Sequence, residues 1–335
     1  VVDECHHVVS ATHRPAYGRL PELVGALGAP QVLALTATAR DEAFHQLVRA
    51  LGIDAWVIDA TRRDNLHVVD CRNTRDKLSY LQDVVRGDGK TIVYCNSKRD
   101  ATNVAAVLRR WIGDEVAFYH AGMPSAERGQ VEEFFRAGAL RVVVATSAFG
   151  EGIDLPDVRN VVLYHLNFHL TEFNQQAGRA GRDGADARIH LLFGDADRGI
   201  NDFLLDLTAP SYATLKKVYP AMKALARKKV LRQTYDDVAR TLDIDRVRAE
   251  TIAAAVQIFA DMGLVVIEED EDGRYLCFLE VKAKVEVARS ARFAEGEAER
   301  ASFEEFCKMA LGFRATDLEQ MINRPIYPGN VPLLR

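Results

Sequence analysis

Gln175 to Gly184 reads Gln-Gln-Ala-Gly-Arg-Ala-Gly-Arg-Asp-Gly, with Arg179 and Arg182 three residues apart and each preceded by a glycine. On a helix that spacing sets both guanidinium groups on one face, and glycine removes the side chain that would hold a bulky partner away. Planar guanidinium forks match phosphate oxygens. The stretch reads as a phosphate clamp on one wall of a cleft; the alternative is a solvated arginine pair in a loop. At the other end of the chain, Val1-Val2-Asp3-Glu4-Cys5-His6 reads as the end of a buried strand running into acidic residues. In phosphoryl-transfer sites an Asp at such a strand end holds Mg²⁺ and a neighbouring carboxylate orients water. Asp3 is the candidate Mg²⁺ ligand and Glu4 the candidate base, with an ordinary strand-end carboxylate pair as the alternative. Gly89-Lys90-Thr91 imitates the end of a P-loop, but Val84 stands where its first glycine belongs, and the segment precedes a strand. No P-loop is read.

The elements that must position these groups alternate along the chain. Apolar runs at Gln31–Thr36, Thr91–Cys95, Val116–His120, Arg141–Ala145, Val158–Tyr164 and Arg188–Phe193 read as strands. Helical spacing marks Arg40–Leu51, Arg75–Arg86, Arg99–Trp111 and Ser125–Arg136. Continuous β-branched runs alternating with helices predict a parallel sheet covered on both faces. Ligand loops in such sheets lie beyond the carboxyl ends of the strands. Three loops follow strands and carry small or hydrogen-bonding residues: Asn96-Ser97-Lys98, His120-Ala121-Gly122, and Thr146 to Asp154. Their amides and hydroxyls suit a nucleic-acid phosphate backbone, although each is also an ordinary βα turn.

The 335 residues suffice for two or three domains, and 48% hydrophobic with 27% charged residues is ordinary globular composition. A net charge of −5 excludes a general polyanion binder, so any nucleic-acid contact must come from local basic patches. Five scattered cysteines form no C-x-x-C pair, which argues against a disulfide framework and a four-cysteine zinc site. Cys5, His6, His7 and His13 are too crowded in sequence to converge on one ion, so no zinc is expected. No apolar run reaches membrane-spanning length and no signal peptide is read, so no membrane partner is expected. A reducing, cytoplasmic, nucleoid-associated setting fits this usage. The chain starts inside an apolar strand and is expected to be an N-terminally truncated fragment.

In this order the pieces resemble a superfamily 2 helicase, most of all the RecQ family of DNA helicases. Asp3-Glu4-Cys5-His6 resembles motif II, Ala34 to Ala39 motif III, and Arg63-Asp64-Asn65-Leu66 the family's linker signature. Ile92 to Ser97 resembles motif IV, Tyr119-His120-Ala121-Gly122 the segment after it, Val144 to Asp154 motif V, and Gln175 to Gly184 motif VI. The resemblance covers roughly residues 1–200. It implies arginine fingers at Arg179 and Arg182, nucleotide contacts from Gly150, Gly152 and Asp154, and coupling of nucleotide state to interdomain contacts through His6 and Gln175. Motif I would lie upstream of Val1. The aromatic-rich DNA-sensing loop after motif II keeps Arg14, Pro15 and Tyr17 but lacks its usual Trp and Phe, and the zinc module is missing.

Beyond the motor, Leu215–Leu231 reads as a basic amphipathic helix carrying Lys216, Lys217, Arg227 and Lys228. Tyr235–Leu242 and Val247–Met262 follow as a helix-turn-helix, and strands flank the turn Asp270-Glu271-Asp272-Gly273. This resembles the family's winged helix, with an acidic wing tip. Backbone contact by the Lys216–Arg232 helix is favoured over base reading. The fold expected is α/β, a RecA-like parallel-sheet motor of the P-loop NTPase superfamily plus a C-terminal winged-helix domain. Residues 1–58 would close the first motor domain, 59–207 form the second, 208–285 the winged helix, and 286–335 a helical tail and candidate docking arm for a protein partner. The tail weakly resembles that of RecQ-like helicases associated with the RecJ exonuclease. The function implied is an ATP- and Mg²⁺-dependent 3′–5′ DNA helicase acting on single strands and duplex junctions in repair or recombination, inactive as this fragment alone. A non-catalytic DNA- or partner-binding module and an RNA-directed superfamily 2 helicase are the alternatives.

Overall fold

The computed structural model describes residues 1–9, 15–36, 41–150, 153–271, 273–280, 286–323, 328–329 and 331–334. His13, Arg14, Gly152 and Asp272, all named above, lie outside the described residues. Two compact units emerge: residues 1–165, 170–192 and 313–335 form one, residues 166–169 and 193–312 the other. The tail thus divides, residues 286–312 belonging to the second unit and 313–335 to the first.

In the first unit the N-terminal part comprises helices α1 (Pro15–Gly18), α2 (Leu20–Ala26) and α3 (Asp41–Leu51) around Cys5, Val8, Leu47 and Leu51. The two expected strands here shrink to one parallel bridge, Val2 to Ala34. After Glu4 the chain turns into a 3-10 helix, Cys5–Val8, which ends the extended run.

The main sheet holds β1 (Leu66–Asp70), β2 (Lys90–Tyr94), β3 (Val116–Tyr119), β4 (Val142–Ala145), β5 (Val158–Leu163) and β6 (Ala187–Leu191). All pairings are parallel, in the order β1-β6-β5-β2-β4-β3. Central β2 and β4 are buried almost throughout, which is why their sequences are continuous β-branched runs. Helices α4 (Lys77–Arg86), α5 (Lys98–Ile112), α6 (Ser125–Ala137) and α7 (Leu170–Ala177) connect the strands. Asp76 and Ser97 cap α4 and α5 by accepting the amides of Ser79 and Asp100. A polar chain crosses the sheet interior: Tyr80 Oη lies 2.8 Å from His190 Nδ1, and His190 Nε2 lies 3.2 Å from Asn160 Oδ1.

The second unit contains α8 (Asp195–Thr208), α9 (Tyr212–Leu225), α10 (Tyr235–Leu242), α11 (Ala249–Asp261) and α12 (Ala291–Gly312). Its small sheet pairs β7 (Val230–Leu231), β8 (Val265–Asp270) and β9 (Gly273–Phe278) antiparallel, in the order β7-β9-β8. Val218, Met222, Ile252, Val256, Phe259 and Phe278 lie in its core. The basic stretch is not one helix, as the sequence suggested. Helix α9 stops at Leu225, and Arg227 and Val230 exchange two backbone hydrogen bonds of 2.9 Å across a tight turn. Lys228 (φ 49°) and Lys229 (φ 69°) form that turn, both left-handed. Helix α12 joins this unit through Arg300, paired to Asp206 at 2.5 Å, and through Gly296, where a Cβ would stand 3.0 Å from Ala209 Cβ.

The chain returns to the first unit in α13 (Ala315–Asn323). Sheet-edge strand β1 has its polar backbone satisfied there: the Val68 amide donates to Glu319 Oε2 at 2.6 Å, and Asn323 Nδ2 donates to the Leu66 carbonyl at 3.0 Å. Farther on, Trp56 Nε1 donates to the Pro332 carbonyl at 2.9 Å and the Ile58 amide to that of Leu333 at 2.7 Å. Among the described residues no helix is long and apolar enough to cross a membrane.

Candidate functional site

Asp3 and Glu4 occupy the turn after the Val2 bridge. Asp3 is exposed, and its Oδ1 accepts the Glu4 amide at 2.9 Å. Glu4 is left-handed (φ 48°), a conformation that costs a non-glycine residue on the order of 1 kcal/mol and aims its side chain back over the 3-10 helix. Glu4 Oε2 lies 3.3 Å from His6 Nδ1, which is also 2.9 Å from Thr36 Oγ1. His6 therefore ties the acidic segment to the hydroxyl that ends the neighbouring run. Tyr17 reaches back, its hydroxyl donating to the Asp3 carbonyl at 3.2 Å. Mg²⁺ takes one or two carboxylates and keeps several waters, so the exposed Asp3 carboxylate with Glu4 beside it fits that ion's donor set.

The arginine pair is positioned differently from the sequence expectation. Helix α7 ends at Ala177, and Arg179 and Arg182 lie in successive turns beyond it. The amides of Arg179 and Ala180 bond three residues back, to Gln176 and Ala177 at 3.2 and 3.1 Å, which tightens and ends the helix. Gly181 is then left-handed (φ +54°), with Asn65 Nδ2 2.6 Å from where a Cβ would stand. The loop is pinned to the start of β5 by the Gly181 amide on the Val158 carbonyl (2.9 Å) and the Asp183 amide on that of Pro156 (3.2 Å). Arg159 also pairs with Asp183.

From this loop both arginines reach the segment between β4 and β5. Arg179 Nη1 donates to the Ile153 carbonyl at 3.1 Å, and its guanidinium lies against Gly150, where a Cβ would sit 2.8 Å from Nε. Gly150 has φ +105°, so glycine is required there by both backbone and space. Arg182 Nη1 pairs with Asp154 Oδ1 at 3.2 Å. Buried Tyr94, at the end of β2, holds the Phe149 carbonyl at 3.1 Å. Burial pushes its pKa up to about 12, against the pull of Arg179 and Arg182. Gln175 sits half-buried on the last turn of α7.

The residues proposed for nucleic-acid contact lie elsewhere, past the carboxyl ends of β2, β3 and β4. The Ser97 hydroxyl is committed to capping α5, donating to Asp100 Oδ2 at 2.7 Å while accepting the Asp100 amide. The Asn96 amide donates to His165 Nδ1 at 3.2 Å, and the Thr146 amide to the Tyr119 carbonyl at 3.1 Å. Lys98 and His120 converge over Gly122: a Cβ there would stand 3.2 Å from Lys98 Nζ and 3.4 Å from His120 Nδ1. Lys98 at the first turn of α5 adds its charge to a helix N-terminus, an arrangement suited to an anion.

In the second unit Lys216, Lys217, Arg227 and Lys228 are all exposed. On α11, by contrast, only Glu250, Gln257 and Asp261 are exposed, while Ile252, Ala255, Val256, Ile258 and Phe259 are buried. No basic side chain is offered along that helix. Arg232, counted with the basic stretch, is engaged by Asp270 at 2.6 Å and stacks 4.2 Å from the Tyr275 ring.

Two residues of the segment that resembles the family's linker signature organise the arginine loop, a role the sequence did not indicate. Arg63 Nη1 donates to the Gly178 carbonyl at 2.8 Å and Nη2 to that of Ala180. Asn65 Nδ2 donates to the carbonyls of Gly181 and Ala185, each at 2.8 Å. Their signal in the sequence is that resemblance, and nothing in their spacing points to the loop more than a hundred residues on.

Residues 76–184 match the helicase conserved C-terminal domain. This stretch of parallel sheet, with its two arginines beside the loop after β4, is the RecA-like C-terminal motor lobe of a superfamily 2 helicase. The chain is similar to RecQ-type helicases. It is 33% identical over 62% of its length to the probable ATP-dependent DNA helicase RecS of Bacillus subtilis, covering 43% of that protein. It is 33% identical over 58% of its length to the ATP-dependent DNA helicase RecQ of Pasteurella multocida, covering 32% of it. The chain thus matches less than half the length of either relative. A structure of the helicase Lhr from Mycobacterium smegmatis bound to ssDNA and AMP-PNP is 22% identical and covers 83% of this chain and 41% of its own, with a TM-score of 0.49.

Proposed function

We propose that this chain carries the second motor domain of an ATP-dependent DNA helicase of RecQ type, moving 3′ to 5′ on DNA in repair or recombination. The observation that carries this reading is the pair Arg179 and Arg182, held by carbonyl and carboxylate contacts beside Gly150, Ile153 and Asp154. Two guanidinium groups fixed there suit the charge that develops on a transferring γ-phosphoryl group. In this reading Asp3 holds Mg²⁺, which neutralises phosphate charge when bound. Glu4 orients the attacking water, and the His6–Thr36 contact transmits the state of that segment. Incoming phosphate displaces Asp154 from Arg182, exchanging an exposed ion pair for a multiply charged anion.

DNA backbone contact falls to Lys98, His120 and Gly122 at the sheet edge and to Lys216, Lys217, Arg227 and Lys228 in the second unit. Residues 212–278 act in this reading as a winged helix that grips phosphates rather than bases, because the exposed side chains of α11 are acidic or neutral.

The test is Arg182→Ala in the full-length protein that carries this chain. DNA-stimulated ATP turnover falls about 10³-fold, the scale of an arginine finger, while single-stranded DNA affinity is kept. Near-normal turnover refutes the assignment.

A further inference from the structure

The arginine loop is short, rich in glycine and exposed at its tip, yet its side chains must be aimed closely to act on a phosphoryl group. Its backbone is fixed partly from the start of β5 and partly by residues that precede β1. Two carbonyls just beyond the end of α7, those of Gly178 and Ala180, are both taken by Arg63. The planar guanidinium offers parallel donors, a geometry that one ammonium cannot reproduce. Of the next two carbonyls of the loop to be bonded by a side chain, Gly181 is taken by Asn65 and Ala185 by both Asn65 and Arg159. Arg63 is itself held: its amide donates to the Asn323 carbonyl at 2.9 Å, at the end of α13. The same Asn323 donates from Nδ2 to the Leu66 carbonyl.

We propose that Arg63 is a positioning residue: its guanidinium bridges the Gly178 and Ala180 carbonyls, fixes the loop that aims Arg179 and Arg182, and is locked in turn by α13. This rests on the arginine-finger reading above and deepens it. One N–H of each terminal nitrogen of Arg63 is given to a loop carbonyl, which makes its role in this loop one of positioning. Burial first, and then the nearby charge of Arg182, lower its pKa from the usual arginine value. A half-buried cation beside a second cation is costly. The cost is offset when an anion sits on Arg182. The C-terminal segment thereby gains a role inside the motor: it is the outermost support of the catalytic arginines.

The experiment has two arms. In the full-length protein, Arg63→Gln lowers kcat for DNA-stimulated ATP hydrolysis about 10²-fold, with KM for ATP and DNA affinity near wild type; Arg182→Ala is the control. In the 335-residue chain, hydrogen exchange in Arg63→Gln rises across residues 178–185 while β2 and β4 stay protected. If Arg182→Ala keeps its turnover, the finger reading falls, and the exchange arm alone decides whether Arg63 holds the loop. If Arg182→Ala is inactive while Arg63→Gln keeps its kcat, or exchange at 178–185 is unchanged, the positioning proposal is overturned and the finger reading stands. Loss of protection in β2 and β4 together with the loop also overturns it, since Arg63 is then a general fold residue. Asn65→Ala, which removes the neighbouring clamp, gives the same localised exchange increase if the loop is held as proposed.

Discussion

His190 makes the motor lobe sensitive to mild acid, and the size of the effect can be worked out. The ring lies in β6 with Nδ1 against the Tyr80 hydroxyl at 2.8 Å and Nε2 against Asn160 Oδ1 at 3.2 Å. Asn160 Nδ2 faces Thr91 Oγ1 at 3.4 Å, which turns its oxygen toward the ring. The neutral tautomer fits this chain, donating at Nε2 and accepting at Nδ1. Burial, helped by the charge of Arg188, pushes the pKa down from 6.5 to about 4. The folded pKa is depressed, so the unfolded chain takes the proton first. The stability contribution is complete above pH 6.5, is lost as pH falls through about 4, and is flat below that. At 1.36 kcal/mol per unit, the full span is about 3 kcal/mol, of which about 2 kcal/mol disappears between pH 7 and 5. The assay is urea unfolding at pH 7, 6 and 5, followed by the fluorescence of Trp111, which packs against the core beneath β2 and β4. Trp56→Phe in every sample removes the other tryptophan. His190→Gln cannot titrate, so its stability falls by about 2 kcal/mol less over that range than the parent's. Equal pH slopes in the two proteins would refute the argument, because the acid sensitivity would then belong to other groups.

Two further outcomes follow from the backbone. Gly150→Ala in the full-length protein sets a Cβ 2.8 Å from Arg179 Nε at a φ of +105°; ATP turnover falls about 10-fold or more, and unchanged turnover would show that the close approach is dispensable. Replacing Lys228 and Lys229, both left-handed, with Asn-Gly relieves the turn and raises the stability of the second unit by about 1 kcal/mol in denaturant unfolding. The same change weakens DNA binding evenly across sequences and flattens its salt dependence; unaltered DNA affinity would remove this turn from the proposed interface.

The parallel sheet was legible in the sequence because strands buried on both faces must be continuously apolar, and Thr91–Tyr94 and Val142–Ala145 are. The arginine pair and the Asp3-Glu4 segment stand out in the sequence by residue type and close spacing, and their chemistry is the proposal above. Secondary structure at the arginines was not. Their three-residue spacing suggested a helix face, but α7 ends at Ala177, and Arg63 and Asn65 take the carbonyls of the loop beyond it. The basic stretch misled for a similar reason: charge pattern cannot show that Arg227 and Val230 close a turn.

By itself, then, the sequence determined what kind of sheet this chain builds and where its paired arginines and carboxylates stand along it. Tertiary structure decided how those groups are aimed. Arg63 meets Gly178 across 115 residues of chain, and Asn323 meets Leu66 across 257. Contacts of that separation leave no periodicity or spacing to read, because they exist only once the sheet has closed and its edge strand has been covered.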